Sequence, residues 1–233
     1  MNAVITGGTK GIGRAIADLL MSKGINVAIC SRTEADVAAF IKDSAAAYPS
    51  AKAIGTTADM SKQESVQAFA QYVLGHFETI DILVNNAGVF LPGEILEEAE
   101  GTLQTMIDTN LYSAYHLSRA LVPNMVAHGS GHIFNMCSIA SITAYPNGGS
   151  YSISKFALLG FSKVLREELK TKGVKVTSIM PGATWSASWA GVDLPESRLM
   201  QASDIANIVW SALEMSPSAV IEDIVIRPQL GDL

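Results

Sequence analysis

The stretch NAVITGGTKGIGRAIADLL, residues 2–20, decides how the chain is read. Asn2–Thr6 is a short run of strand-forming residues, glycines follow at 7, 11 and 13, and a helical pattern begins at about residue 12. Strand, glycine turn and helix in that order open a βαβ unit. The same alternation continues outward along the sequence. Strand-like runs fall at 2–6, 25–30, 51–56, 80–85, 131–138, 174–180 and 221–228. Helical patterns lie between them at about 12–23, 33–47, 61–76, 98–128, 149–171 and 203–214. The near-continuous Val, Ile and Leu content of the runs suits strands covered on both faces. Such crossovers are right-handed and build a parallel sheet with helices on both sides. The expected fold is therefore α/β, a doubly wound, seven-stranded parallel sheet forming a single domain over residues 1–233, without repeats or linkers. Ligands of such sheets bind beyond the C-terminal ends of the strands.

Bulk composition narrows the function classes. Apolar residues make up 48% and charged residues 16%, which argues against a disordered chain. The formal charge of −6 argues against nucleic acid as a partner, while a small phosphorylated ligand needs only a local site. Cys30 and Cys137 sit in apolar runs without metal-ligand spacing and read as reduced core residues of a cytoplasmic protein. His76, His116, His128 and His132 show no paired spacing with acids or cysteines, so no metal is expected. The opening MNAVITGG leaves no room for a secretory leader, and no uncharged apolar stretch reaches membrane-spanning length.

Glycines after a first strand let the backbone turn sharply and approach a pyrophosphate, whose charge is met by free N–H groups of the helix. The spacing Gly7-x-x-x-Gly11-x-Gly13 is not G-x-G-x-x-G, so the signal is the strand–turn–helix context. Gly7, Thr9, Lys10, Gly11, Ile12 and Gly13 are the candidate contacts, and the plain alternative is a glycine-rich turn with no ligand. An NAD site usually places an acid on the adenosine ribose about 20 residues further on. Here the sequence reads Cys30-Ser31-Arg32, with no acid before Glu34. Arg32 suits a fork on a ribose 2′-phosphate, with Lys10 as a second cation. The plain alternative is that both are solvated surface charges. The missing acid favours NADP(H) over NAD(H).

YSISK, residues 151–155, places a tyrosine and a lysine on one helix face. That pattern arises often by chance, so its neighbours decide its meaning. NNAG (85–88) and PG (181–182) end the fourth and sixth strands, and Ser138 ends the fifth, thirteen residues before Tyr151. Asn110 lies in IDTNLYSAY and Asp59 in TADMSK. With these five ordered motifs the sequence resembles the short-chain dehydrogenase/reductase family, from Val4 to the last strand.

A free phenol titrates at about 10, and a neighbouring cation lowers that value, so Tyr151 is expected to move toward the working range of an acid–base catalyst. Ser138 would hydrogen-bond the substrate oxygen as charge grows there. The resemblance adds that Lys155 binds the nicotinamide ribose and that Asn110 positions a proton-relaying water. It also implies Asp59 facing adenine, Asn86, Ala87 and Gly88 beside the adenosine ribose, and Pro181 and Gly182 shaping the nicotinamide loop. Thr184 and Ser186 are candidates for the carboxamide. Plainer roles exist for several of these: a strand-end cap for Ser138, a kink-satisfying polar group for Asn110, a simple turn for NNAG. The sequence departs from many acyl-carrier-protein reductases of the family in ending VIRPQLGDL rather than Gly-Gly, which leaves the substrate open.

The implied activity is NADPH-dependent reduction of a ketone or aldehyde bearing an apolar portion. A segment at 183–200 is the expected substrate lid, in which Trp185 and Trp189 either line the pocket or pack the lid down. The helices at 98–128 and 149–171 are apolar on more than one face, which suits a homodimer or homotetramer. Two other readings share the motifs: an alcohol dehydrogenase run oxidatively or an epimerase, and a nucleotide-sensing regulator without catalysis. A regulator would be expected to lack Ser138, Tyr151 or Lys155, and all are present.

Overall fold

Residues 1–185 and 195–232 are described by the structure, a computed structural model. Seven strands form one sheet: β1 (Asn2–Thr6), β2 (Asn26–Ser31), β3 (Ala53–Thr57), β4 (Ile82–Asn85), β5 (Gly131–Met136), β6 (Val174–Pro181) and β7 (Asp223–Ile226). Their order is β3-β2-β1-β4-β5-β6-β7, with every neighbouring pair parallel. This is the Rossmann arrangement, and its topological switch lies between β1 and β4. Side chains alternate across a strand, so each strand feeds both faces. Ala3 and Ile5 enter one apolar core and Val4 the other.

The connecting helices divide between those faces. On the first, α1 (Gly11–Ser22), α2 (Glu34–Ala47) and α7 (Ala202–Leu213) bury Ile16, Leu20, Phe40, Ile205 and Val209 against the sheet. On the second, α3 (Gln63–Leu74), α5 (Ser113–His128) and α6 (Gly149–Leu169) contribute Val66, Phe69, Leu117, Leu121 and Leu169. Most ends fall within two residues of the sequence expectation. The fifth strand is shorter than expected, stopping at Met136, because Ser138 instead caps a 3₁₀ turn at Ile139–Ser141. The seventh is shorter too, leaving Pro228, which has no N–H to donate, outside it.

The larger departure is at 98–128, expected as one helix. The structure begins α4 at Thr102, runs it to Ile107, makes a π-helical turn at Asp108–Tyr112 and resumes as α5. Residues 98–101 precede any helix, and Gly101 takes φ 84°, a left-handed backbone suited to glycine. Single π turns are energetically poor and often mark functional sites. This one carries Asn110. No described helix is long and apolar enough to cross a membrane.

Candidate active site

The switch point gathers the ends of β1 and β4. Thr6 Oγ1 accepts the amides of Asn86 and Ala87 at 2.9 and 2.8 Å, and Asn86 Nδ2 donates to Thr6 O at 2.8 Å. NNAG is thereby pinned against the glycine turn. Gly7 and Gly11 have φ of 64° and 55°, where most side chains are strained. A Cβ on Gly13 would sit 2.4 Å from Gly7 O and 2.6 Å from Asn86 Nδ2, so only glycine permits this close approach. Lys10, at the N-cap of α1, makes no side-chain cap bond, which leaves the first N–H groups of the helix without a side-chain acceptor beside half-buried Thr9 and Ile12. The turn fits a pyrophosphate.

The charges around it are arranged differently from the sequence expectation. Arg32 is exposed just after β2, and no described carboxylate pairs with it within salt-bridge distance. Lys10 is not free: its Nζ lies 2.9 Å from Asp36 Oδ2 in α2. Asp59 accepts from Ser61 N at 3.1 Å and Ser61 Oγ at 2.7 Å, and the hydroxyl bond above all holds its carboxyl below the usual range.

A second group of residues stands across the ends of β4, β5 and β6. Tyr151 and Lys155 lie one turn apart on α6, with Lys155 Nζ 5.7 Å from the Tyr151 ring centre. Lys155 is buried and donates to Met136 O at 2.8 Å. Burial pulls its ammonium down to about 8, partly opposed by nearby Cys137, whose thiol burial pushes up to about 11. Tyr151 is half-buried with the Phe90 ring edge-on at 4.8 Å. Its phenol is raised, not lowered as the sequence predicts. Desolvation is the largest cause, hydrogen bonding with Ser138 opposes it, and Cys137 adds a smaller rise. Lys155 is not among the causes of the shift. Ser138 also accepts from Ala140 N at 3.1 Å, so it serves as a cap as well as a neighbour of the phenol.

Asn110 is buried and does more than satisfy a kink. Its Oδ1 accepts from Val89 N at 2.7 Å, and its Nδ2 donates to Val89 O at 3.0 Å and Ser154 Oγ at 2.9 Å. Ser154 Oγ in turn donates to Tyr151 O at 2.7 Å. A Cβ on Gly88 would lie 3.1 Å from Asn110 Oδ1 and 3.6 Å from Lys155 Nζ, so a side chain there would enter the space before the lysine. Sequence reasoning missed Ser154, although it stands inside YSISK. It also missed Glu98, whose carboxylate accepts Ser150 N at 2.8 Å and secures the start of α6. Neither carries a spacing signal.

Pro181 ends β6, and Gly182 N donates to Ile226 O at 2.8 Å. Thr184 is buried with its hydroxyl on Gly182 O at 3.0 Å, and Trp185 N donates to Met200 O at 2.8 Å. Ser186 and Trp189 lie outside the described residues. Among the described residues no group of three or more His, Cys, Asp or Glu is placed to hold a metal ion.

Comparison with known proteins gives the same picture. Residues 1–195 match the short chain dehydrogenase family. The chain is 33% identical over 217 residues to 3-oxoacyl-[acyl-carrier-protein] reductase of Haemophilus influenzae, covering 89% of this chain and 88% of that one. Among solved structures it is similar to an alcohol dehydrogenase from Thermococcus sibiricus complexed with 5-hydroxy-NADP (TM-score 0.91, 25% identity, 100% and 98% coverage). It is also similar to a metagenomic short-chain oxidoreductase in complex with NADP (TM-score 0.85, 31% identity, 98% and 97% coverage).

Proposed function

This chain belongs to the short chain dehydrogenase family, and we propose that it is an NADPH-dependent reductase of ketones or aldehydes in which Tyr151 donates the proton. The observation that carries this reading is the convergence of Tyr151, Ser138 and buried Lys155 beside a glycine turn shaped for a pyrophosphate. Bound NADPH would supply the hydride. Gly7, Gly11, Gly13 and the first turn of α1 would hold its pyrophosphate, Arg32 the 2′-phosphate, and Asp59, Asn86, Ala87 and Gly88 the adenosine side. Lys155, Pro181, Gly182 and Thr184 would hold the nicotinamide side. The NADP complexes of similar structures support that choice of cofactor.

Reduction requires a protonated phenol. Half-buried Tyr151, its phenol raised by desolvation, stays protonated across neutrality, the form a proton donor needs. Ser138 steadies the developing alkoxide with its hydroxyl, a contact stronger in the transition state than with a neutral carbonyl. Lys155 supplies positive charge next to the phenol as the proton leaves it. Asn110, fixed by three hydrogen bonds, holds the Val89 loop and α6 in register behind them. An apolar portion of the substrate is supported by a groove of about 640 Å³ that Tyr145 lines with Ile95, Leu96, Pro146, Ile153 and Phe156.

Buried, unpaired Cys30 and Cys137 support a reducing, cytoplasmic setting. Exposed apolar residues along α5 and α6 support a homo-oligomer. A panel of ketones and aldehydes, followed by loss of NADPH absorbance, tests the function. Turnover of at least one carbonyl class with NADPH is expected. No turnover of any carbonyl, combined with failure to bind NADPH, rejects the reading.

A further inference from the structure

We propose that Asp232 and Arg198 are positioning residues that clasp the loop following β6 and thereby set cofactor affinity at its nicotinamide end; this rests on the NADP(H) reading above. Three separate segments meet at these two side chains. Ala183 N donates to Asp232 Oδ1 at 3.2 Å, and Asp232 Oδ2 takes Arg227 Nε at 2.7 Å. Arg198 donates through Nη1 to Gly231 O at 2.9 Å and through Nη2 to Asp232 O at 3.3 Å. Residues 182–185 and 198–200 are joined in turn by a parallel bridge between Thr184 and Met200, with Met200 N on Ala183 O at 3.1 Å. One carboxylate and one guanidinium therefore tie the loop, its return segment and residues 227–232 together.

The packing is close enough to matter. A Cβ on Gly182 would lie 2.0 Å from Asp232 Oδ1, and Gly231 takes φ 82° to bring the segment back toward the loop. The clasp holds the loop that leaves the C-terminal end of β6, the edge of the sheet where the candidate site lies. Thr184 points its hydroxyl at Gly182 O within this loop, so its orientation follows from the backbone that Asp232 holds. Loss of the acceptor leaves the Ala183 N–H without a partner and frees the loop. Among the described residues, the hydrogen bonds of Asp232 and Arg198 reach none of the residues assigned to the adenosine side.

The test separates the two halves of the cofactor. NADPH and adenosine 2′,5′-bisphosphate, which has no nicotinamide, are titrated into the unmutated protein, Asp232→Ala, Asp232→Asn and Arg198→Met. Asp232→Ala is expected to weaken NADPH by roughly tenfold, the scale of one lost hydrogen bond to a buried group. Its affinity for adenosine 2′,5′-bisphosphate should stay within about twofold, and Asp232→Asn, which keeps an oxygen acceptor, should recover most of the NADPH loss. Arg198→Met should follow Asp232→Ala in direction. A structural clasp alone would lower the melting temperature of both variants and leave the ratio of the two affinities unchanged, which overturns the proposal. Hydrogen exchange at the Ala183 amide reads the clasp apart from the cofactor. Faster exchange in Asp232→Ala is expected, and an unchanged rate overturns the clasp. If the unmutated protein binds neither ligand, it is the NADP(H) reading that fails, and the exchange result still decides the clasp.

Discussion

Arg32 and Lys10, the two cations proposed for the 2′-phosphate, differ in freedom. Lys10 is paired with Asp36 on the surface, an interaction worth only ~0.2–1 kcal/mol, so a 2′-phosphate can draw the lysine away at small cost. Arg32→Asp is therefore expected to narrow or reverse the preference for NADPH over NADH by about tenfold or more. Asp36→Asn should tighten NADPH by at most about fivefold, the equivalent of that pair. Dissociation constants for the two cofactors check both, and equal affinities in the unmutated protein contradict the assignment of Arg32. Lys155 gives a pH signature. Its folded value of about 8 lies below the usual 10.5, so the ammonium is present below pH 8 and lost as pH rises through it. NADPH affinity should be steady below that point and fall above it, with the inflection missing in Lys155→Met; the same inflection in both proteins contradicts the role. Tyr151, Lys155 and Ser138 stood out through their place among motifs that resemble the short-chain dehydrogenase/reductase family, and the structure brings them together. The sign of the Tyr151 shift was not legible, since burial has no local sequence mark, and Asp36 lies too far along the chain from Lys10 to be read as its partner.

The π turn at Asp108–Tyr112 is the element that joins the two halves of the site. It directs Asn110 toward Val89 on one side and Ser154 on the other, linking the loop after β4 to α6. Asn110→Ala removes partners from the Val89 amide and carbonyl and from the Ser154 hydroxyl. Each buried group left unsatisfied costs about 1–3 kcal/mol. Urea unfolding should show a clear loss of stability with an unchanged slope, together with lower turnover. A stability change within about 0.5 kcal/mol, the range of an ordinary surface substitution, contradicts the linkage. The sequence shows one long helix here because a π turn slips the hydrogen-bond register by a single residue and barely disturbs the apolar pattern. Strand–helix alternation was legible by contrast, since each βα unit repeats the same contrast between short β-branched runs and longer amphipathic ones.

Across the whole molecule, the switch point between β1 and β4 and the outer faces of α5 and α6 serve different ends. Apart from the groove lined by Ile153 and Phe156, Tyr112, Tyr115 and Val164 are exposed apolar residues on or beside those helices. Covering them in a symmetric assembly removes that surface from water. Light scattering at micromolar concentration should give the mass of a dimer or tetramer, and a monomeric mass contradicts it. The parallel sheet could be inferred from the strand runs, whereas the clasp at Asp232 could not, because its partners come from three distant segments. The central claim is that Tyr151 gives up the proton, and single-turnover carbonyl reduction by Tyr151→Phe tests it most directly. The substitution removes one hydroxyl and keeps the ring packed against Phe90. The account predicts NADPH affinity close to that of the unmutated protein and a rate lower by about 10²–10⁴-fold. A variant that retains most of its carbonyl reduction contradicts it.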